Sequence, residues 1–541
     1  VIRILLLLLC TLALSSQDLQ IQVLSTADLH GRILARDPFT LQPANQGWAR
    51  LASLIREKKA ANAATLLVDS GDTISGDPVN YVRNRLKPEL PEPSIAIMNA
   101  LGYNAMVVGN HDYDYGFPLL RSVEEQAKFP LLSANAVYAD TGKPVFTPYV
   151  MVEVKGIRVG ILGLTMAAVP RTAEARNIDG LKFLDPVATA QEFVPRLRTT
   201  EKADLVLVVI HGGIGKDSDS SLGGSPITLL AQKVHGIDLI LAGHSHESSA
   251  TRVAGVPVIQ AQGYGQSLAI AEIHLKEIKH TFTARTWAVQ DCQVRVERPG
   301  PTTPDDPEVL ALTEPLRTAT EAYLNTFVTN LSDDLDGRWN SMEDTALMQL
   351  YHTVMRKAVG AQLSAASSPG SRIFIPKGAT SVRQFYALAP YEDRVARIAL
   401  TGAQVRAYLE HAARFYSRSY EAQLFAPGAR PQSFDTIAGV KYALDLSKPV
   451  GQRVAKLEYQ GSPVKDDQIF TLALSTFRLT GGDGYMAAIG FKGQAERISN
   501  DSVRNLILEY ALARPSLILN PAGNWRTIPF LDRERVLAQQ P

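Results

Sequence analysis

Five short apolar runs in the first half of the chain stop at the same chemistry, and this repetition limits the fold more than any other feature of the sequence. Ile21 to Ser25 runs into Thr26-Ala27-Asp28-Leu29-His30-Gly31, and Thr65 to Val68 into Asp69-Ser70-Gly71-Asp72. Ala105 to Val108 opens into Gly109-Asn110-His111-Asp112, Asp204 to Ile210 into His211-Gly212-Gly213, and Ile237 to Ala242 into Gly243-His244-Ser245-His246. Apolar runs of this length bounded by glycine read as buried strands, and an α/β protein opens its crevice at the C-terminal edge of such strands. One Asn-His pair after a strand is an ordinary turn. Five such endings in succession bring Asp28, His30, Asp72, Asn110, His111, His211, His244 and His246 to one sheet edge.

Between the first two runs, Leu51, Leu54 and Ile55 fall at helical spacing, which predicts a layered α/β sheet covered on both faces. The segments Tyr149 to Val154, Arg158 to Leu164, Val256 to Gln260 and Leu268 to His274 predict antiparallel strands of a second sheet packed on the first. At 541 residues the chain is too long for one core. Pro and Gly cluster from Arg298 to Pro304. Asp306-Pro307-Glu308 then supplies an N-cap, a first-turn proline and a first-turn acid, so a connecting helix follows, kinked at Pro315. Beyond it, helical and strand-like segments alternate without the earlier pattern, predicting a smaller α+β domain. The expected division is a leader at 1–16, a catalytic domain at 17–295, a linker helix at 296–340, a second domain at 341–525 and a tail at 526–541.

Arg3, the apolar stretch Ile4 to Leu14 and Ala13-Leu14-Ser15 read as a cleaved secretory signal, shorter than the roughly 20 residues that span a bilayer. The expectation is a secreted protein, periplasmic or extracellular, with no stable membrane span. After cleavage only Cys292 remains, so no internal disulfide is available. A formal net charge of +1, with no run of Lys or Arg, argues against a nucleic-acid polymer as partner.

Imidazoles, carboxylates and an amide oxygen suit Zn, Mn, Fe or Co, and the lack of cysteine among them excludes a thiolate zinc or iron–sulfur site. Seven or more donors exceed what one ion takes. Two divalent metal ions sharing a carboxylate, about 3.5–4 Å apart, are implied.

In this order, Asp28-x-His30, Gly71-Asp72, Gly109-Asn110-His111-Asp112, His211-Gly212-Gly213 and Gly243-His244-Ser245-His246 resemble the signature of the calcineurin-like metallophosphoesterases. The form is that of the 5′-nucleotidase and 2′,3′-cyclic-nucleotide 2′-phosphodiesterase branch, over essentially the whole mature chain. The resemblance implies an α-β-β-α catalytic domain. It puts Asp28, His30, Asp72 and His246 on one ion, with Asp72 shared by a second ion that Asn110, His211 and His244 complete. A water between the ions would then provide hydroxide near neutral pH. By the same resemblance His111 lies beside the phosphate as acid or transition-state partner, and Asp114 orients its imidazole.

In the second domain, Phe434 follows the Pro/Gly-rich loop Ala426 to Pro431, and Phe477 precedes Thr480-Gly481-Gly482-Asp483-Gly484-Tyr485. Both resemble the aromatic pair that clamps the base in nucleotidases, in loop positions poor for burial, and Asp483 matches an acidic residue that contacts the nucleoside. The substrate implied is a small nucleotide. Gly-Gly-Asp-Gly-Tyr and Asp114 favour 5′-nucleotidase chemistry, whereas Tyr113-x-Tyr115-Gly116 and Pro390-Tyr391-Glu392-Asp393 favour a 2′,3′-cyclic-nucleotide 2′-phosphodiesterase/3′-nucleotidase. An alternative of another class is a non-catalytic secreted nucleotide-binding protein. Oligomeric state is not legible.

Overall fold

The apolar runs of the first half form strands, but they divide between two sheets. The computed structural model describes residues 18–214, 225–278, 286–368, 370 and 373–539, so the expected leader lies outside the described residues. Strands β1 (Asp18–Thr26), β2 (Thr65–Asp69), β3 (Ala105–Val107) and β4 (Leu131–Leu132) are parallel neighbours in one sheet. The second sheet contains β5 (Tyr149–Val154), β6 (Ile157–Thr165), β7 (Leu205–His211), β8 (Leu239–Ala242), β9 (Ser249–Val253) and β10 (Val256–Gln260), in the order β9-β10-β8-β7-β6-β5. Then β11 (Leu268–Ile278) returns beside β1 with β12 (Thr286–Glu297) outside it, so the first sheet runs β12-β11-β1-β2-β3-β4.

Two expectations are corrected here. The five run ends come from two sheets rather than one, and Leu268 to His274 belongs to the first sheet. Strands buried on both faces carry no polar alternation, so nothing in their sequence says which sheet they join.

Alternation along each strand builds the layers. Ile21, Val23, Leu66, Val68, Ala105 and Val107 share a core with Leu205, Leu207, Val209, Leu239 and Leu241, where the two sheets press together. The intervening Leu24, Leu67, Met106 and Val108 pack with α1 (Trp48–Ala61) and α2 (Pro93–Leu101). On the far side, Val206, Val208, Ile210 and Ile240 pack with α3 (Pro186–Thr199) and α4 (Pro226–Lys233). The result is an α-β-β-α sandwich. Register levels its strand ends: Thr26 pairs with Asp69, and Ile210 with Ala242.

Helix α5 (Pro307–Leu324) is capped by Asp306, whose carboxylate accepts from the backbone of Glu308 and Val309. It continues through Pro315 as one helix. Nor is it a free connector: Val309 and Leu316 are buried in the core of α1 and α2.

The C-terminal half is α+β, as expected. Its main sheet joins β13 (Leu363–Ser367), β14 (Arg394–Thr401), β15 (Asp435–Ala438), β16 (Ile469–Ser475) and β17 (Arg497–Ser502), in the order β15-β13-β16-β14-β17. Helices α6 (Ala346–Val359) and α8 (Val503–Leu512) contribute to one core, and α7 (Gly402–Ala412) to the other. The expected tail is part of this unit. Trp525–Ile528 is a strand paired with Lys441–Asp445, and Val536 of the helix Arg533–Gln539 is fully buried.

Phe434 is also corrected. It is 2% exposed, with ring centroids 5.0 Å from Phe415 and 5.5 Å from both Tyr416 and Trp525. The Pro/Gly-rich loop ends just before it, and β15 begins just after, so the side chain falls into the core as the strand starts. Phe434→Ala should therefore cost about 3–5 kcal/mol of stability, measured by denaturant unfolding.

Candidate metal centre

At the level strand ends the backbone is strained in a way that aims side chains at one notch. Asp28, His30, Asp72, His244 and His246 all have left-handed φ, between 48 and 79°. For residues with a Cβ this conformation costs of order 1–2 kcal/mol each. Hydrogen bonds between loops hold it: Asp28 N donates to the Gly71 carbonyl and His30 N to the Asp72 carbonyl, both at 2.9 Å. Gly109 must be glycine, because a Cβ there would sit 2.2 Å from Asp72 Oδ1.

Two clusters of donors result. Asp28, His30 and His246 form one, and Asp72, His211 and His244 the other. Asn110 Oδ1 lies 3.0 Å from His211 Nε2 and 3.1 Å from His244 Nδ1, so it joins the second. The clusters are bound together by the His244 N–H, which donates to both Asp28 oxygens at 2.9 and 3.0 Å.

A missing positive charge is visible in the hydrogen bonding. His211 Nδ1 lies 2.8 Å from the Ser70 carbonyl and His30 Nδ1 lies 2.7 Å from the Ser75 carbonyl. A carbonyl only accepts, so in each neutral ring the proton is on Nδ1 and Nε2 is a bare lone pair. In a neutral His211 that lone pair would face Asn110 Oδ1 at 3.0 Å and Asp72 Oδ2 at 3.1 Å, so the three come together only around a proton on Nε2 or a cation. Asp72 Oδ2 is buried with only the His211 ring beside it, while Oδ1 is satisfied by the His111 N–H at 2.8 Å. In the other cluster His30 Nε2 stands 3.1 Å from His246 Nε2. Such a set fits divalent cations bound by imidazole and carboxylate, with ring orientation fixed from behind by the carbonyls.

Ionisation shows the same demand for positive charge, met on His211 by a proton. Burial lifts the Asp28 carboxyl to about 8. Burial also opposes charge on His211, but Asp72 outweighs it and pushes the imidazole up to about 9. His30 and His244 are driven down to about 3, and His246 to about 4, chiefly by burial, so all three are neutral lone-pair donors near pH 7.

Beside the clusters His111 has a different environment. Its Nδ1 lies 2.9 Å from Asp114 Oδ2, which also accepts from Ser75 Oγ at 2.6 Å. Burial lowers its pKa, but Asp114 and Asp72 outweigh that and push it up to about 10. Asp112 is a scaffold carboxylate, accepting from the backbone of Asp72, Thr73, Ile74 and Gly109.

Residues 21–248 match the family model of the calcineurin-like phosphoesterases, and residues 324–489 match that of the 5′-nucleotidase C-terminal domain. The chain belongs to the calcineurin-like phosphoesterases that carry this second domain. It is a phosphoric ester hydrolase. Over 95% of its length it is 26% identical to the Trifunctional nucleotide phosphoesterase protein YfkN of Bacillus subtilis, of which it spans 39%. It is also 26% identical, over 97% of its length and 90% of the relative's, to the 2′,3′-cyclic-nucleotide 2′-phosphodiesterase/3′-nucleotidase of Haemophilus influenzae. A solved 5′-nucleotidase precursor from Thermus thermophilus shares the fold, with a TM-score of 0.66, 24% identity, and coverage of 94% of this chain and 99% of that one. The phosphoesterase fold implies divalent metals.

All eight strand-end residues of this hydrolase therefore lie in one notch, with Asp114 at its rim. Phe477 and Asp483 lie apart, on the C-terminal half. Phe477 is half-buried, with the Arg478 guanidinium 5.4 Å from its ring, and the Asp483 carboxylate is bound by Arg478 and Arg430. Sequence reasoning missed two aromatics at the notch. Tyr391 of the C-terminal half stacks on His111 with centroids 5.8 Å apart, and Tyr264 flanks His30 and His246 at 5.4 and 5.2 Å. The available signal was a tyrosine in the polar segment Pro390 to Asp393, used above only to compare subfamilies.

Chelation should strip bound divalent metal, and readdition should restore about two ions per chain; Asp72→Ala should lower the recovered number, read by metal analysis of the desalted protein.

Proposed function

We propose that this hydrolase releases phosphate from small nucleotides in the manner of a 5′-nucleotidase. Asp28, His30, Asp72 and His246 would hold one divalent cation, and Asp72, Asn110, His211 and His244 the other. Held by these residues, divalent cations would supply an acidified water near neutral pH and offset phosphoryl charge. The rest of the work falls to side chains. Asp114 holds the His111 Nδ1–H, leaving Nε2–H to protonate the departing alkoxide. Ser75 donates to the same Asp114 oxygen and fixes that carboxylate. The His111 N–H bonded to Asp72 Oδ1 couples the acid's position to the metal ligands.

One observation carries the nucleotide reading. Tyr391 comes from the C-terminal half, is 46% exposed, and lies stacked against His111. A generic phosphatase needs no such platform, whereas a base needs a ring to stack on. With Phe434 in the core, we assign the base contacts to Tyr391 and Phe477, and the nucleoside contact to Asp483. The second reading is a 2′,3′-cyclic-nucleotide 2′-phosphodiesterase/3′-nucleotidase, favoured by Tyr391 in Pro390 to Asp393 and by full-length likeness to the Haemophilus influenzae relative. The apolar stretch behind Arg3 supports export. No helix among the described residues is long and apolar enough to cross a membrane.

Metal-reconstituted enzyme offered 5′-AMP, 3′-AMP, 2′,3′-cyclic AMP and an aryl phosphate side by side separates these readings by rate and product. The proposal expects 5′-AMP to be preferred; equal turnover of the aryl phosphate and every nucleotide would remove the nucleotide assignment. His111→Ala should lower kcat by about 10²–10⁴-fold. Tyr391→Ala should cost about 1–3 kcal/mol of binding, read in KM for the nucleotide. Asp114→Asn removes a carboxylate that raises the His111 pKa, so the alkaline limb of kcat should move to lower pH.

A further inference from the structure

Resting on the nucleotide reading, we propose that the catalytic-half loop from Arg171 to Asn177 sets the position of Phe477 relative to His111, with Glu174 as its positioning residue. Three contacts from seven consecutive residues support this. At one end, Asn177 Nδ2 donates to the Asp114 carbonyl at 2.8 Å, on the residue that orients His111. At the other end, the Arg171 carbonyl accepts from Thr480 Oγ1 at 2.6 Å, three residues beyond Phe477. Between them, Glu174 crosses to the C-terminal half. Its oxygens accept from Arg394 Nε at 2.6 and 2.7 Å, and Thr476 Oγ1, the neighbour of Phe477, lies 3.4 Å from Oε1. Thr476 Oγ1 also accepts the Arg394 backbone N–H at 3.0 Å, so Glu174 meets Arg394 through the guanidinium and Thr476 meets it through the main chain.

The loop is a rigid part of the catalytic half, since Val169, Ala173 and Ile178 are buried in the core that α1 and α2 share. Glu174 and Arg394 side chains are 11% and 12% exposed, so the pair is partly shielded from solvent. Arg176, 3.0 Å from Glu174, is half-exposed and belongs to the same loop, so it cannot bridge the halves. Arg394 follows Asp393 on the segment that also brings Tyr391 to His111. Both proposed base contacts are thereby referred to the catalytic half through residues 391–394 and 171–177. The physical consequence is selectivity by length: the loop fixes how far a base may lie from the phosphate being cut. A small aryl phosphate does not sense that distance.

The test compares wild type, Glu174→Ala and Glu174→Gln, all metal-reconstituted, on p-nitrophenyl phosphate and on whichever of 5′-AMP, 3′-AMP and 2′,3′-cyclic AMP the wild type prefers. The expected result for Glu174→Ala is a fall of about 10- to 100-fold in nucleotide kcat/KM, mainly through KM, with p-nitrophenyl phosphate parameters within about twofold of wild type. Glu174→Gln, which keeps an acceptor oxygen, should recover part of the loss. Unchanged nucleotide KM in Glu174→Ala overturns the proposal, and so does a parallel loss on both substrates, which would mean a merely structural role. Failure of the underlying nucleotide reading is seen separately, as wild type showing no preference for any nucleotide over p-nitrophenyl phosphate.

Discussion

A buried meeting of ring nitrogen, amide oxygen and carboxylate that demands positive charge is the constraint on which this structure turns. His211 Nε2 lies 3.0 Å from Asn110 Oδ1 and 3.1 Å from Asp72 Oδ2, and among the described residues nothing else hydrogen-bonds that Asp72 oxygen. A buried carboxylate oxygen with nothing to bind is expensive, and the low dielectric that makes it so also makes a cation there strongly held. The carbonyls of Ser70 and Ser75 matter for the same reason. By accepting from Nδ1–H of His211 and His30 they turn the two Nε2 atoms inward.

The sandwich exists, in this sense, to deliver that convergence. Parallel strands in each sheet end at matched heights, and their last residues then turn through left-handed conformations that a free chain avoids. Loop-to-loop hydrogen bonds, from Asp28 to Gly71 and from His30 to Asp72, hold the turns in place. Large apolar layers on three levels provide the stability against which this local strain is set.

The second domain closes the site rather than standing beside it. Tyr391 reaches His111, and Arg394 pairs with Glu174 of the first half. Arg504, buried beneath the interface, stacks on Tyr81 of the first half and Tyr386 of the second, each 4.3 Å from the guanidinium. The strand-end donor clusters and Tyr391 thus come from halves that are physically joined at the notch.

What the sequence by itself determined was the donor set and the layering. Apolar runs ending in Asp, Asn or His are a local pattern, and burial of such runs with polar ends needs no knowledge of distant residues, so Asp28, His30, Asp72, Asn110, His211, His244 and His246 were legible one strand at a time. The spacing of His111 and Asp114 was equally local. Tertiary structure alone decided which sheet each strand joined, because strands buried on both sides look alike whichever partner they take. It also decided the fate of the aromatics. Phe434 and Tyr391 both follow proline-containing segments, but one drops into a core made by Phe415, Tyr416 and Trp525, and the other is left half-exposed above His111. Burial of a single ring depends on neighbours from remote parts of the chain, and local sequence carries no record of them.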